Sequence, residues 1–180
     1  MNIKKIRVFG QKRPKLIFNK KVFNCQIGSN GKIPSYKKKE GDSCTPMGLW
    51  SLESIFIRKD KIKFFKKNRS LNYKARKITK DCGWCDDIKK ESYNKYIKIS
   101  KLNTKEQVNY EFLYRKDNAY DLFVVLNYNT KPVIKGKGSA IFLHCSFNDL
   151  RATKGCVAIN KKNLLYLCEK LNSKCKIQIN

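Results

Sequence analysis

Apolar residues in this chain recur in short runs whose length fits a β-strand. Each run is rich in Val, Ile, Leu or Phe and is bounded by polar or turn-forming residues, which is typical of strands. The runs cover residues 15–18, 21–27, 49–56, 120–128, 139–144 and 175–179. The Asn-Lys pair at 19–20 predicts a hairpin between the first two runs, and the Gly-Ser-Asn-Gly segment at 28–31 predicts a turn after the second.

One segment near the C-terminus has helical spacing instead. Leu164, Leu167, Cys168 and Leu171 recur at intervals of three and four residues, which places them on one face of a helix. Asn160 precedes them and is a favourable N-cap residue. A strand-rich chain with one late helix predicts a mainly β fold, a β-sandwich or barrel-like domain with one C-terminal helix.

The length and composition suit a single folded domain. The chain has 180 residues, of which 41% are hydrophobic, enough to bury a core. Residues 58–113 are more polar and contain lysine-rich runs. We therefore predict one domain over residues 1–180, with a long irregular insertion at about 58–113 between sheet elements.

The chain carries a formal net charge of +27, from 41 Lys and Arg against 14 Asp and Glu. Such an excess attracts polyanions, including nucleic acid and acidic cell-wall polymer. Residues 63–67 interleave aromatic and basic side chains, as in single-strand binding proteins, so a basic nucleic-acid-binding protein is the non-enzymatic alternative. Because no nucleic-acid motif is present and the lysines are spread throughout, we expect no nucleic-acid partner.

No targeting segment is evident. The first residues are basic, but no apolar run of signal-peptide length precedes residues 11–14. No stretch approaches the length of a transmembrane helix. As written, the sequence predicts a protein without a transmembrane segment that stays in the compartment where it is made.

The eight cysteines do not resemble a disulfide framework, and a chain of this length does not need one. We expect reduced, mostly buried thiols. Cys82 and Cys85 form a single C-x-x-C, without the second ligand pair of a structural zinc site. The favoured interpretation is a loop in which Trp84 packs on the core. No metal or organic cofactor is predicted.

His144 is the only histidine, and it ends an apolar run. Cys156 follows twelve residues later, directly after Gly155, which allows a sharp backbone turn. An imidazole can take the proton of a thiol, hold the thiolate as an ion pair and later protonate a leaving amine. Amides near Gly155 and Cys156 could then form an oxyanion hole. These residues fit acyl transfer through a thioester, while a structural histidine and an inert Gly-Cys pair remain the alternative.

The same residues resemble a known family. Phe-Leu-His at 142–144 and Thr-Lys-Gly-Cys-Val at 153–157 are similar to the active-site signature of the L,D-transpeptidase catalytic domain family, which is called YkuD-like. Further segments resemble one bacterial branch of that family, in the expected order: KEGD at 39–42 with TPMG at 45–48, GWCDD at 83–87 with YN at 93–94, and GKGSAIFLH at 136–144. The resemblance spans about residues 20–170.

The motif also departs from its commoner form, in which Ser-His-Gly-Cys stands where this chain has Thr153 to Cys156. His144 is then the only available imidazole base. The commoner form has Arg two positions after the cysteine, where this chain has Ala158. A bidentate Arg is the usual anchor for a carboxylate, and Lys154 is the candidate substitute.

The resemblance implies a peptidoglycan L,D-transpeptidase without a cofactor. Cys156 would attack a stem tetrapeptide at its third residue, expel the terminal D-alanine, and transfer the acyl group to an amine of a second stem peptide. This forms a 3→3 cross-link that supports the cell wall and cell shape. L,D-carboxypeptidase and peptidoglycan–protein amidase activities are alternatives on the same fold. The implied substrate also places the enzyme in the bacterial cell envelope or periplasm.

The resemblance also indicates residues around the substrate. Thr153 belongs to the signature, and Ser139 is a candidate partner for the base, as is a backbone carbonyl beside His144 such as that of Cys145. The segment with Trp84 is implied to line the substrate cleft. Asp42 is expected to organise a loop near it.

Overall fold

The computed structural model describes residues 5–63, 75–102 and 107–180. Its strands, in chain order, are β1 (Lys5–Phe9), β2 (Lys15–Phe18), β3 (Lys21–Gln26), β4 (Lys32–Pro34), β5 (Thr45–Ile57), β6 (Arg76–Lys77), β7 (Cys82–Cys85), β8 (Tyr96–Lys98), β9 (Tyr110–Phe112), β10 (Leu122–Leu126), β11 (Phe142–Cys145), β12 (Val157–Ile159) and β13 (Lys176–Ile179). The α-helix of this part of the chain is α1 (Lys161–Lys170), and short 3-10 helices cover Ser35–Lys37 and Ile99–Lys101.

Eight of these strands form a closed circuit. Their order is β10, β11, β12, β3, β2, β1, β13 and β5, and antiparallel pairing of β5 with β10 closes it. Strand β5 has 13 residues: Gly48 to Ser51 pair with β13, and Leu52 to Ile57 pair with β10. Strands β4 and β6 pair with β5 outside the circuit. The predicted mainly β, sandwich- or barrel-like fold with one C-terminal helix is thus confirmed.

Two cores flank β10 and β11. Leu122 and Val124 of β10, with Leu143 of β11, pack in the main core. The alternate residues Phe123 and Phe142 belong to a second core, together with Trp84 and Cys156. Successive side chains of a strand point to opposite faces, so these strands are buried on both sides. Strand β11 therefore carries His144 on the face that it shares with the second core.

The second core is covered by a small sheet in the order β8, β7, β9, with antiparallel pairing on both sides of β7. This sheet lies within residues 58–113, where the sequence predicted irregular structure. That expectation is wrong for the stretch from Cys82 to Phe112, because three short strands there bury one face against β5, β10 and β11. Strands of only three or four residues lack the long alternation that identifies a strand in sequence. Residues 64–74 and 103–106, including most of the aromatic-basic run at 63–67, lie outside the described residues.

Helix α1 begins as predicted. The Asn160 side chain accepts a hydrogen bond from the Lys162 amide, which satisfies one of the free amides of the first turn. Leu164, Leu167 and Cys168 are fully buried in the main core. Each leucine contributes about 1.5–3 kcal/mol by burial, so the helix is held by its apolar face. No helix among the described residues is long and apolar enough to cross a membrane.

Candidate active site

Cys156 directly precedes β12, in a tight turn that only glycine can make. Gly155 has a φ of +129°, and a Cβ atom at this position would lie 2.8 Å from the backbone oxygen of Cys44. Contacts of that length are not tolerated between a Cβ atom and a rigid backbone atom, and side chains rarely adopt this φ. Gly155 is therefore required for the path of the chain that delivers Cys156 to its position.

The thiol of Cys156 lies against the backbone of the segment before β11. It donates a hydrogen bond to the carbonyl of Ala140 at 3.1 Å and accepts one from the amide of Phe142 at 3.3 Å. Burial raises the pKa of Cys156 from 9.0 to about 12, against a smaller lowering by the Phe142 amide. At neutral pH the side chain is a thiol in this arrangement.

The imidazole of His144 is oriented by the backbone. Its Nδ1 lies 2.8 Å from the carbonyl of Cys145, and since a carbonyl can only accept, Nδ1 carries the proton. Neutral His144 then has an unprotonated Nε2, the form that a general base requires. Burial lowers the pKa of His144 from 6.5 to about 4, so this neutral form persists at neutral pH.

His144 and Cys156 lie on the same face of two neighbouring parallel strands. The register pairs His144 with Ala158, which places Cys156 two residues back along β12 and diagonal to His144. By the spacings of a β-sheet the two Cα atoms are roughly 8 Å apart. Both side chains line one cleft of about 630 Å³. His144 and Cys156, twelve residues apart in sequence, thus form a diagonal pair across neighbouring strands.

The charge state of this pair differs from the sequence prediction. A thiolate–imidazolium ion pair was expected, but burial disfavours the charged form of both groups. The thiol donates to Ala140 and not to the imidazole. The structure therefore holds a neutral thiol and a neutral imidazole, so acyl transfer at this pair would require the proton to move from sulfur to the ring.

The hydroxyl of Thr153 stabilises the turn at Gly155 and Cys156 through two hydrogen bonds. It donates to the carbonyl of Cys156 at 2.7 Å and accepts from the amide of Gly155 at 3.1 Å. This makes Thr153 a positioning residue as well as a lining residue of the cleft. It also corrects the predicted oxyanion hole, because the Gly155 amide already has an acceptor. Sequence alone could not show this, since the hydroxyl reaches back into its own loop.

Ser139 and Lys154 line the cleft, as expected for substrate-binding residues. No hydrogen bond joins Ser139 to His144 in the described part of the chain, and the carbonyl of Cys145 takes the orienting position instead. The ring of Tyr120 meets the His144 ring edge to face at 5.4 Å and that of Phe147 lies at 5.8 Å. These two aromatic rings fix the plane of the imidazole.

Asp42 organises a loop beside the cleft and does not line it. Its carboxylate accepts from the amides of Lys39 and Cys44 and pairs with the buried ammonium of Lys38 at 2.5 Å. These hydrogen bonds, chiefly that of Lys38, hold the pKa of Asp42 below its usual value against the raising effect of burial. The loop in turn presents Glu40 to the cleft. Asp42 therefore organises this loop, as the sequence predicted, and it is not among the residues that line the cleft.

Trp84 lies beneath the cleft and not in its wall. The indole packs edge to face on Phe142 at 5.0 Å, and its Nε1 donates to Asn94 at 3.0 Å. Strand β7 contains both Cys82 and Cys85, so the predicted loop is a strand and the two thiols, three residues apart, point to opposite faces. No group of three or more metal-ligating side chains occurs in the described residues. The packing of Trp84 on the core is confirmed; its place in the cleft is wrong.

Sequence reasoning missed the charged residues of the cleft. These are Arg115, Arg151, Glu40, Asp86 and Glu111. Arginine is scarce in this chain and lysine is common, and that scarcity was the one available signal for Arg115 and Arg151. Glu40 and Asp86 stand within the segments KEGD and GWCDD, but those segments assign no role to either carboxylate.

The two arginines share one carboxylate. Arg115 binds Asp117 through Nε and Nη2 and binds Glu111 through Nη1 at 2.7 Å, which engages its guanidinium on both sides. Arg151 lies 3.5 Å from the same Asp117, stacks on Phe147 at 4.0 Å and is half exposed. Arg151 is thus the more accessible of the two cations.

The acidic side of the cleft contains a partly buried carboxyl. Burial raises the pKa of Asp86, and the nearby carboxylates of Glu111 and Glu40 add to the rise. Its Oδ1 atom has no hydrogen-bond partner in the described residues. The cleft therefore places acidic groups on one part of its wall and cationic groups on another.

A family model matches this chain over almost its whole length. The model is YkuD, described as the L,D-transpeptidase catalytic domain, and it covers residues 10–179. The chain belongs to the L,D-transpeptidase catalytic domain family. The match identifies the family as a whole and does not single out a branch. No curated protein and no solved structure matches the chain. Members of this family are in general cysteine-dependent L,D-transpeptidases that act on peptidoglycan.

Proposed function

We propose that this chain is a peptidoglycan L,D-transpeptidase that forms 3→3 cross-links through a thioester on Cys156. The observation that carries the proposal is the diagonal pair of Cys156 and His144, which line one cleft in a chain of this family. A buried thiol and an oriented, neutral imidazole are the two groups that such acyl transfer needs.

Acylation requires the thiol to leave its present acceptor. Its proton now points to the carbonyl of Ala140, and it must turn away from that carbonyl and approach Nε2 of His144 before it can transfer. As the sulfur attacks the substrate carbonyl, Nε2 takes the proton. The C–N bond then breaks, and the imidazolium gives that proton to the departing D-alanine amine. A low pKa makes the imidazolium a strong acid, which favours this last transfer.

The backbone N–H of Cys156 is assigned to stabilise the negative charge that develops on the oxygen of the substrate carbonyl. The Gly155 amide is bonded to Thr153, so it would have to leave that acceptor in order to take part. Gly155 still acts in this step, because its φ of +129° directs the following peptide unit. A single preorganised donor in an oxyanion hole is worth roughly 3–4 kcal/mol of transition-state stabilisation.

The acyl group then moves to an amine of a second stem peptide. The amine attacks the thioester, its proton passes to His144, and the thiol of Cys156 leaves and regains a proton. Water as acceptor would release a tripeptide instead, which is L,D-carboxypeptidase activity. An amide link to an attached protein, cleaved in the same way, is the remaining alternative.

We assign the substrate carboxylate to the cationic side of the cleft. Arg151 is half exposed, although its guanidinium also pairs with Asp149 at 3.0 Å, and Lys154 lines the same cleft as a compact, flexible point charge. Arg115 is engaged by Asp117 and Glu111 and is assigned to supporting this wall. Ala158, which stands where the commoner motif has Arg, is fully buried in β12 and takes no part.

We further propose that this activity operates in the bacterial cell envelope, where the proposed substrate lies. The net charge of +27 supports retention on anionic envelope polymer. Binding to purified sacculi should then weaken as salt rises, because exposed charges are screened. Retention that does not change with salt would remove the role proposed for the basic surface.

One experiment tests the catalytic proposal. Purified protein is incubated with a disaccharide-tetrapeptide, and intact-protein mass spectrometry is used to find an acyl adduct, which peptide mapping assigns to a residue. We expect the adduct on Cys156 with release of D-alanine, and a dimer with a 3→3 link when acceptor is added. Cys156→Ala should abolish adduct and release, whereas Cys44→Ala, which changes the other slightly exposed thiol, should retain both. Release of D-alanine by the Cys156→Ala protein would overturn the proposal.

A further inference from the structure

A second cavity, of about 810 Å³, lies next to the catalytic cleft. We call it the basic cavity, because its lining includes Lys12, Arg13 and Lys15. Its remaining polar lining is largely amide, from Asn24, Gln26 and Asn30 among others. None of its lining residues, all of which are described, is Asp or Glu. Its volume falls within the range of small-ligand sites, about 300–1,000 Å³.

The charge of this cavity sets it apart from the cleft. In the cleft, Glu40 and Asp86 offset Arg151 and Lys154. In the basic cavity nothing offsets Lys12 and Arg13, both exposed. A concave site whose charged groups are all positive concentrates anions. The amide side chains add donors and acceptors suited to hydroxyl and acetamido groups.

A further observation points to a ligand. Leu150, on the rim, is 62% exposed and has a φ of +54°, unusual for a leucine. An exposed apolar side chain held in such a conformation fits contact with the apolar face of a sugar ring.

The two cavities share a wall. Ala152 lines both of them. The next residue is Thr153. Its backbone N–H donates to the carbonyl of Ile27, and its carbonyl accepts from the amide of Ser29, both at 2.9 Å. The wall is thereby fixed to the turn that forms the floor of the basic cavity. A substrate that extends from the thiol of Cys156 across Ala152 reaches the basic cavity without leaving the protein surface.

We propose that the basic cavity binds the anionic, hydroxyl-rich part of the same peptidoglycan strand whose peptide fills the catalytic cleft. That part is the amino sugar with the first residues of the stem and their free carboxylate. The proposal rests on the proposed function for the identity of the strand. The cavity itself selects a carboxylate and hydroxyl groups together.

The test uses Cys156→Ala protein, which cannot turn over a substrate, and an acidic muramyl dipeptide that lacks the scissile bond. Binding is measured by calorimetry. The pair Lys12→Glu and Arg13→Glu should weaken it about tenfold or more, since two charge-assisted contacts are lost. The pair Lys59→Glu and Lys61→Glu makes the same change in net charge at exposed positions outside both cavities and should leave binding within about twofold. The amidated form of the dipeptide should bind more weakly than the acid.

The outcomes separate this proposal from the proposed function. Absence of binding, or an equal effect of the two charge-reversal pairs, would overturn it whatever the catalytic activity. Equal displacement of the dipeptide by inorganic phosphate would do the same, because the cavity would then recognise charge alone. Binding that depends on Lys12 and Arg13 in a protein without transpeptidase activity supports the cavity and refutes only the proposed function. In an active enzyme, the disaccharide-tetrapeptide should have a lower KM than the free tetrapeptide. This difference in KM should vanish in the double variant that carries Lys12→Glu and Arg13→Glu.

Discussion

The side chain of Asn94 fixes the backbone of Ala140 beside the thiol of Cys156. Its Oδ1 accepts the Ala140 amide at 3.0 Å, and the carbonyl of Ala140 accepts the thiol of Cys156 at 3.1 Å. Ala140 has a φ of +51°, a strained conformation for alanine that persists only where its surroundings impose it. The same Oδ1 also accepts the indole N–H of Trp84. A buried amide far from the thiol in sequence therefore determines where the sulfur lies.

Asn94→Ala should reduce both stability and activity. Two buried donors, the Trp84 indole and the Ala140 amide, lose their acceptor at about 1–3 kcal/mol each. The free energy of unfolding should fall by about 2–4 kcal/mol in urea denaturation. Misplacement of the thiol should lower kcat by about 100-fold. Asn129→Ala, which breaks hydrogen bonds to Ile134 and Gly138 only, is the matched control and should lose stability with kcat kept. An Asn94→Ala enzyme with normal kcat would show that this contact does not position the sulfur.

The stability of the fold should depend on His144 at acid pH. Its folded pKa of about 4 lies below the usual 6.5, so the unfolded chain binds the additional proton between these values. Stability from this residue is therefore complete above pH 6.5 and is lost as the pH falls towards 4, by on the order of 3 kcal/mol. His144→Gln should lack that component, which urea titrations at pH 7 and pH 4 would reveal. Parallel loss of stability in both proteins would contradict a lowered pKa.

Gly155→Ala should separate steric clash from backbone strain. The added Cβ meets the Cys44 carbonyl at 2.8 Å, whereas at Gly136, whose φ is +79°, a Cβ has no neighbour within 4 Å. Both variants incur the cost of a positive φ, roughly 1–2 kcal/mol. Only Gly155→Ala should also displace Cys156 and abolish acyl-enzyme formation in the mass-spectrometric assay. Loss of acylation in Gly136→Ala to the same degree would mean that strain, and not the clash, is decisive.

The reactivity of Cys156 should rise continuously with pH. All eight cysteines are free and buried, and Cys44 at 9% and Cys156 at 8% are the most exposed. Because burial raises the pKa of Cys156 to about 12, the thiolate fraction should grow about tenfold per pH unit from pH 7 to 9. Alkylation by iodoacetamide, mapped by mass spectrometry, would measure it, with eight thiols reacting in denaturant. A plateau from pH 5 to 8 that disappears in His144→Gln would instead indicate an ion pair.

Much of the fold followed from the sequence because local patterns and tertiary structure agree there. The short apolar runs of β2 and β3, the Asn160 cap and the apolar stripe of α1 each carry one unambiguous signal. The strands β7, β8 and β9 were missed because each has only three or four residues and gains its order from contact with the second core. Their stability is tertiary in origin, which a local pattern cannot express.

The site was predictable in its chemistry and not in its geometry. A single histidine and a Gly-Cys pair predicted His144 and Cys156, and the fold brings both to one cleft, whereas the role of Thr153 depends on hydrogen bonds within a folded loop. Neutral charge states could not be predicted, because the pKa of each group follows from burial that only the packed structure defines. Arg151 escaped notice for a similar reason: only the fold brings it to the cleft.

Both faces of strand β11 are packed against other residues, with Leu143 in the main core and Phe142 in the second core. Exposed residues of this protein can be replaced by lysine with little loss of stability, since a solvated ammonium needs few contacts with other side chains. Four consecutive residues at 142–145 have no such latitude, because any change of volume there is felt in two packed interiors at once. The proposed reactive centre is thereby anchored to a segment that tolerates little change, in a chain whose outer composition is otherwise free to vary.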